Sequence, residues 1–213
     1  KIKAISENYD KNVIKNFIIH LRQGLSIAFF LIGWFSLSRS KKYFFFILTP
    51  FVHTSFFLVI AMYFLTLALQ KLKFAFDIKF IVYFILGFVI SFGLAFIVSL
   101  LGMRQATEYE FIAADSSGLG FLFWLGILII YISNGREFLR KNSFILGMII
   151  FYLVTYFFVE VTARIFESVI ILVLLASLEL KNKYKIIVVG LFIIFIIYQF
   201  ISKIDIPYFG YGI

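Results

Sequence analysis

Pro50-Phe51-Val52-His53-Thr54-Ser55 interrupts an apolar run that extends over residues 43–69. Proline has no amide hydrogen and disfavours helix at the residue before it, here Thr49, so the run reads as a broken helix or a hairpin with its apex at residues 50–55. Its length agrees: about 27 residues are long for one crossing of a bilayer core, which takes roughly 20, and short for two. Upstream, Leu21-Arg22-Gln23-Gly24 opens an apolar run over 25–37 that closes on the basic Ser38-Arg39-Ser40-Lys41-Lys42. An arginine and a histidine at or within the edges of membrane segments are costly to hold there, and by default such residues are functional. Irregular backbone at membrane depth is tolerated only where it is buried in protein or lines a water-filled cavity, which places His53 beside such a cavity. The competing reading is a single proline-kinked span with His53 bonded to a neighbouring carbonyl.

Composition agrees with a membrane setting. Hydrophobic residues make up 63% and charged residues 15%, and the mean hydropathy is +1.05, outside the range of soluble domains. Further apolar runs cover 80–101, 119–132, 143–159, 168–178 and 186–201. None alternates apolar with polar residues, so helices are predicted and an outer-membrane barrel is not. The predicted fold is all-α: a polytopic transmembrane helical bundle with one broken or re-entrant segment. Val13, Ile14, Phe17, Ile18 and Leu21 recur at helical spacing and predict an interfacial N-terminal helix ahead of the first span. Residues 1–213 read as a single integral membrane domain. The polar start without an initiator Met suggests the C-terminal part of a larger polytopic protein.

The formal net charge of +9 does not call for nucleic acid, because most basic residues sit in short connections between apolar runs. Those connections fix the topology. If 43–69 enters and leaves by one side, or makes two short crossings, every strongly basic connection falls on the cytoplasmic side. These are Arg39, Lys41 and Lys42; Lys71, Lys73 and Lys79; Arg136, Arg140 and Lys141; and Lys181, Lys183 and Lys185. A single crossing would put three of those connections outside, so the first arrangement is predicted. Residues 102–118 then form an outside loop carrying Arg104, Glu108, Glu110 and Asp115. The segment from 143 to about 180 is too long for one crossing and must turn at Glu160-Val-Thr-Ala-Arg164-Ile-Phe-Glu167. The tail with Pro207, Tyr208 and Tyr211 falls outside, its aromatics serving as interfacial anchors.

Arg22, His53, Arg104 and Arg164 therefore all map to the non-cytoplasmic side, close to span ends. Arginine suits phosphate, because its planar donors bind oxygen pairs and its charge persists in poorly hydrated sites. At Arg104 and Arg164 an ion pair with Glu108, or with Glu160 and Glu167, stands beside the ligand-binding reading. No Walker loop, dinucleotide glycine fingerprint, G-x-S-x-G or H-E-x-x-H is present. The chain has two histidines and no cysteine, which excludes a multi-histidine or thiolate metal site and disulfides. No spacing points to a carboxylate metal site, and no metal or other cofactor is expected.

Arg22-Gln23 opening a span, a basic turn, and then a broken span carrying His53-Thr54-Ser55 resemble the EpsG-like branch of the Wzy-type polysaccharide polymerases. In that branch an R-Q motif is followed by an H-x-S-type motif. Ala163-Arg164-Ile165 and Ile206-Pro207-Tyr208 are similar to weaker features of the same family, and Thr54 departs from it at a position often held by another residue. The resemblance covers most of the chain. It implies polymerisation of lipid-linked oligosaccharide repeat units at the outer face of a bacterial inner membrane, for O-antigen, capsule or exopolysaccharide. The implied substrate is an undecaprenyl-pyrophosphate-linked oligosaccharide, and the implied partners are the lipid bilayer, a flippase and a chain-length regulator, with neither nucleotide sugar nor metal.

On that footing Arg22, Gln23, Arg104 and Arg164 bind the pyrophosphate, and the arginines stabilise its charge as it leaves. His53, whose reference pKa is about 6.5, acts as general base on the acceptor hydroxyl or bonds a phosphate oxygen, with Glu167 and Glu108 as alternative bases. Three other functions fit the same residues. A transporter or flippase would move substrate without making glycosidic bonds, a glycan ligase would change the carrier instead of lengthening the chain, and a membrane scaffold would use the charges only to pair and anchor.

Overall fold

The computed structural model describes residues 20–72, 74–100, 118–158 and 161–201, and within them the side chains other than those at 76, 94–100, 161 and 199. Among the described residues the chain is all-helical, with no strand. Helix α1 spans 20–35. It is followed by α2 (Arg39–Val52), α3 (Phe56–Lys71), α4 (Phe76–Leu100), α5 (Leu119–Ser133), α6 (Arg136–Lys141), α7 (Ser143–Thr155), α8 (Val161–Glu167), α9 (Ile170–Ser177) and α10 (Asn182–Ile201). The expected N-terminal helix before residue 20, the loop with Arg104 and Glu108, Glu160 and the tail all lie outside the described residues.

The chain divides into two compact units, one of residues 1–57 with 192–213 and one of residues 58–191. In the first, α1 and α2 form an antiparallel hairpin. Gly33 makes the close approach possible, since a Cβ there would come within 2.8 Å of the Phe46 ring. Phe46 instead stacks on Phe30, with ring centroids 5.1 Å apart, and both are buried. Phe30 also meets Phe56 at 5.5 Å, which brings the start of α3 to the same hairpin.

The second unit is built around α7. Its sequence, SFILGMIIFYLVT, has no polar face, and nearly every residue is buried, so it is the centre and the other helices surround it. Tyr83 of α4 lies against Gly147, where a Cβ would meet the ring at 2.7 Å, and Val154 of α7 lies against Gly87. Both numbers increase together, so α4 and α7 run parallel. On another side, Trp124 of α5 meets Tyr152 edge-on at 6.4 Å and Gly120 sits under Tyr156, which makes α5 antiparallel to α7. Phe166 of α8 stacks on Tyr152 at 4.4 Å.

Polar bonds fasten one end of this unit. Lys181 N–H donates to Asn134 Oδ1 at 3.2 Å, Lys141 Nζ pairs with Glu179 at 2.8 Å, and Gln70 Nε2 donates to Ser143 Oγ at 2.5 Å. Three basic connections expected to share a side are thus gathered at one end, and α8 lies toward the other. The stretch 134–142, expected as a loop, contains helix α6, because Phe138 and Leu139 bury themselves while Arg136, Glu137 and Arg140 stay exposed.

Within this description no helix is long and apolar enough to cross a membrane. The run 43–69 is cut at residues 53–55, between the 14-residue α2 and the 16-residue α3 that extend past its two ends, and 143–180 is cut into α7, α8 and α9.

Candidate anion site at the helix break

The break is made by residues around Pro50. Proline in the last turn of α2 withholds the amide that Phe46 O would accept, and the last carbonyls of any helix lack intrahelical donors. Helix α2 nevertheless continues to Val52, two residues past the proline. His53 is extended (φ −143°, ψ 118°), with its N–H returning to Thr49 O. The next helix begins at once: Phe56 N–H donates to His53 O at 3.1 Å and Phe57 N–H to Thr54 O at 3.0 Å.

Helix α1 supplies the missing donors. Ser26 Oγ donates to Thr49 O at 3.4 Å, and Arg22 Nε donates to Val52 O at 3.1 Å. Arg22 and Ser26 stand four residues apart on the face of α1 that carries Phe30 and Gly33, the face that packs on α2. A cation at the carbonyl end of α2 also complements its dipole. Arg22 is therefore fixed beside the residue that precedes His53, although 30 residues separate Arg22 from Val52. Its Nη groups make no other hydrogen bond among the described residues, and the side chain is exposed.

His53 is half-buried, with Nδ1 2.6 Å from Ser55 Oγ. That bond orients the imidazole and couples its tautomer to the serine hydroxyl. If Ser55 donates, Nε2 carries the proton and the ring offers a donor; if Nδ1 donates, Nε2 is the basic nitrogen. Ser55 and Ser26 were not among the residues expected to build the site. Ser55 was legible as the last letter of the H-x-S motif, and Ser26 from its four-residue spacing to Arg22.

The other expected site residues are distributed as follows. Gln23 is buried at 7% exposure. Arg164 and Glu167 are exposed on α8, in the second unit, and Glu167 is near enough to Tyr152 to act on it electrostatically. Arg104 and Glu108 lie outside the described residues. Among the described residues no group of three or more His, Cys, Asp or Glu could hold a metal ion. The arrangement at the break can bind an anion: it has one anchored guanidinium with unspent donors, one oriented imidazole, and no carboxylate in this turn.

A family model described as the EpsG family matches residues 12–211. No curated protein and no solved structure matches the chain.

Proposed function

The chain belongs to the EpsG family, and on that premise we propose that it polymerises lipid-linked oligosaccharide repeat units at the outer face of a bacterial inner membrane. A polymerase-type role in polysaccharide biosynthesis follows from membership. The observation that carries the finer reading is Arg22, held by Nε against Val52 O beside His53 with its Nη donors unspent.

In the proposed reaction the bond between the anomeric carbon of the growing glycan and the pyrophosphate oxygen breaks. A new bond forms from that carbon to a sugar hydroxyl of the incoming repeat unit, and the hydroxyl proton passes to a base. Undecaprenyl pyrophosphate leaves with the electron pair. The Nη pair of Arg22 binds two phosphate oxygens and stabilises the charge that grows on them. His53 takes the hydroxyl proton in the tautomer with basic Nε2, or donates to a phosphate oxygen in the other. In this reading Arg164 of α8 is a further pyrophosphate ligand and Glu167 an alternative base.

A membrane placement is supported by what the helices expose. Ile81, Ile85, Phe88 and Phe92 run along α4 at helical spacing, each about half exposed, and Ile186, Ile193, Ile194 and Ile197 are exposed by half or more on α10. Apolar stripes of this extent on water-facing surfaces are not tolerated by soluble monomers. Positive charge then orients each unit. In the first, Arg39, Lys41 and Lys42 lie at the hairpin end away from Arg22 and His53, which supports an outward-facing break.

A flippase or transporter is the second reading, favoured by the same interrupted helix. Gel analysis of surface polysaccharide separates the two. In a deletion strain carrying Arg22→Ala or His53→Ala at normal expression, the polymerase reading expects a single repeat unit on its carrier and no long chains. Full-length polymer from both variants contradicts it, and loss of even the single repeat points to transport.

A further inference from the structure

A cavity of about 570 Å³ opens in the second unit between the start of α4, the end of α5, and helices α6 and α7. Lys79, Arg136 and Arg140 line it together with Phe74, Ile132 and Leu139, and Asp77 is the one carboxylate in its wall. Gly135, at φ 104°, forms the turn that swings α6 across the end of α5, a conformation open to glycine and strained for other residues. Arg136 and Arg140 are four apart on α6 and share a face.

Among the described residues the charges in this cavity are not paired off. Lys79 is only 8% exposed, and among the described residues its ammonium makes no hydrogen bond or ion pair. Asp77, Arg136 and Arg140 likewise have no side-chain partner among the described residues. A buried ammonium without a counter-charge is costly, and two guanidinium groups at the mouth raise that cost. Three cations against one carboxylate leave a surplus that an anion carrying more than one acceptor oxygen would balance. The remaining walls are aromatic and aliphatic, with Phe74 and Ile132 exposed at 39% and 40%, so the complementary ligand is an anion with an apolar continuation.

We infer that this cavity binds the phosphate head group of an anionic membrane lipid, at the end of the second unit opposite α8. Basic pockets between helices at the cytoplasmic surface suit such head groups. The membrane level of the site rests on the placement proposed above; the unmatched cations do not. Lys79 forms the base of the site, Arg136 and Arg140 clasp the phosphate oxygens from the mouth, and Phe74 and Ile132 meet the first carbons of the acyl chains.

The test measures lipid retention by the purified full chain in detergent, with phosphatidylglycerol, phosphatidylcholine or inorganic phosphate added, read by native mass spectrometry. No polymer synthesis enters the readout, so it stands or falls separately from the polymerase reading. Wild type should retain phosphatidylglycerol over phosphatidylcholine. Lys79→Met and Arg140→Gln should each weaken that retention about fivefold, the factor expected for one basic residue near a lipid surface. Lys183→Gln, an exposed basic residue outside the cavity, should leave it unchanged. Arg140 is exposed, so its variant folds even if Lys79→Met does not. Equal retention of the two lipids, or an equal loss in Lys183→Gln, overturns the site. Removal of the lipid by millimolar inorganic phosphate overturns the lipid as its source.

Discussion

At the scale of single residues the site depends on how one guanidinium is divided. Nε of Arg22 is spent on Val52 O, and the Nη edge is left for a ligand. Arg22→Lys keeps the charge but cannot cap α2 and grip two oxygens at once. Polymer formed by purified Arg22→Ala protein from lipid-linked repeats should fall about a hundredfold, the scale of losing one donor aimed at developing charge. Arg22→Lys should fall in between, with both variants close to wild type in thermal stability, because a single exposed bond is worth about 1 kcal/mol. A large drop in stability for both, with activity per folded molecule intact, would reduce Arg22 to a helix cap. In the proposed reaction Ser55 would act through His53, whose Nδ1 it bonds. Ser55→Ala removes the bond at Nδ1 and should slow polymerisation about fivefold and move its pH profile, while Ser55→Thr restores both.

At the scale of elements, glycines set the distances between helices. Tyr83 cannot retreat from Gly147, because its hydroxyl is 2.8 Å from Thr66 Oγ1, and a Cβ at 147 would approach its ring to 2.7 Å. Gly147→Ala gains about 0.5–1 kcal/mol of helix propensity and loses about 1–3 kcal/mol to overpacking. A lower melting temperature in detergent is expected, recovered by combining Gly147→Ala with Tyr83→Leu. The connection between α9 and α10 carries a pH-dependent bond. The Lys141 ammonium holds the Glu179 carboxyl below the ordinary carboxylate value, with a further bond from Asn142. A depressed folded-state pKa means that the stabilisation is complete above the unfolded value near 4.5 and is lost as pH falls through the lower folded value. The pair is exposed, so the loss is under about 1 kcal/mol. On acidification below pH 4.5, the melting temperature of wild type should fall further than that of Glu179→Gln.

The elements were legible in the sequence to different degrees, for physical reasons. Pro50 inside an apolar run marked the break, yet α2 runs on to Val52, because His53 N–H still reaches Thr49 O. The Arg22 bond to Val52 O was out of reach, since a contact across 30 residues depends on how two helices pack, although shared sidedness pointed the two segments at each other. Helix α6 was hidden by its charge: REFLRK reads as a loop until Phe138 and Leu139 are seen to be buried. The central place of α7 could not be read either, because in a chain this apolar most helices lack a polar face and periodicity does not say which is enclosed.

At the scale of the whole molecule, the proposed membrane placement orients each unit by its basic connections. The connections around Asn134, Lys141 and Lys181 lie at one end of the second unit, and the basic turn of the first lies at the end away from Arg22. The central claim of the proposal is that the break beside Arg22 faces outward, where lipid-linked repeat units would be joined. The natural absence of cysteine allows a direct measurement with a membrane-impermeant maleimide on intact cells, using Thr54→Cys at the break and Ser40→Cys in the basic turn. The account predicts that the Thr54→Cys protein is labelled in intact cells and the Ser40→Cys protein only after permeabilisation. Labelling of Ser40→Cys in intact cells, with Thr54→Cys reached only after permeabilisation, would contradict it.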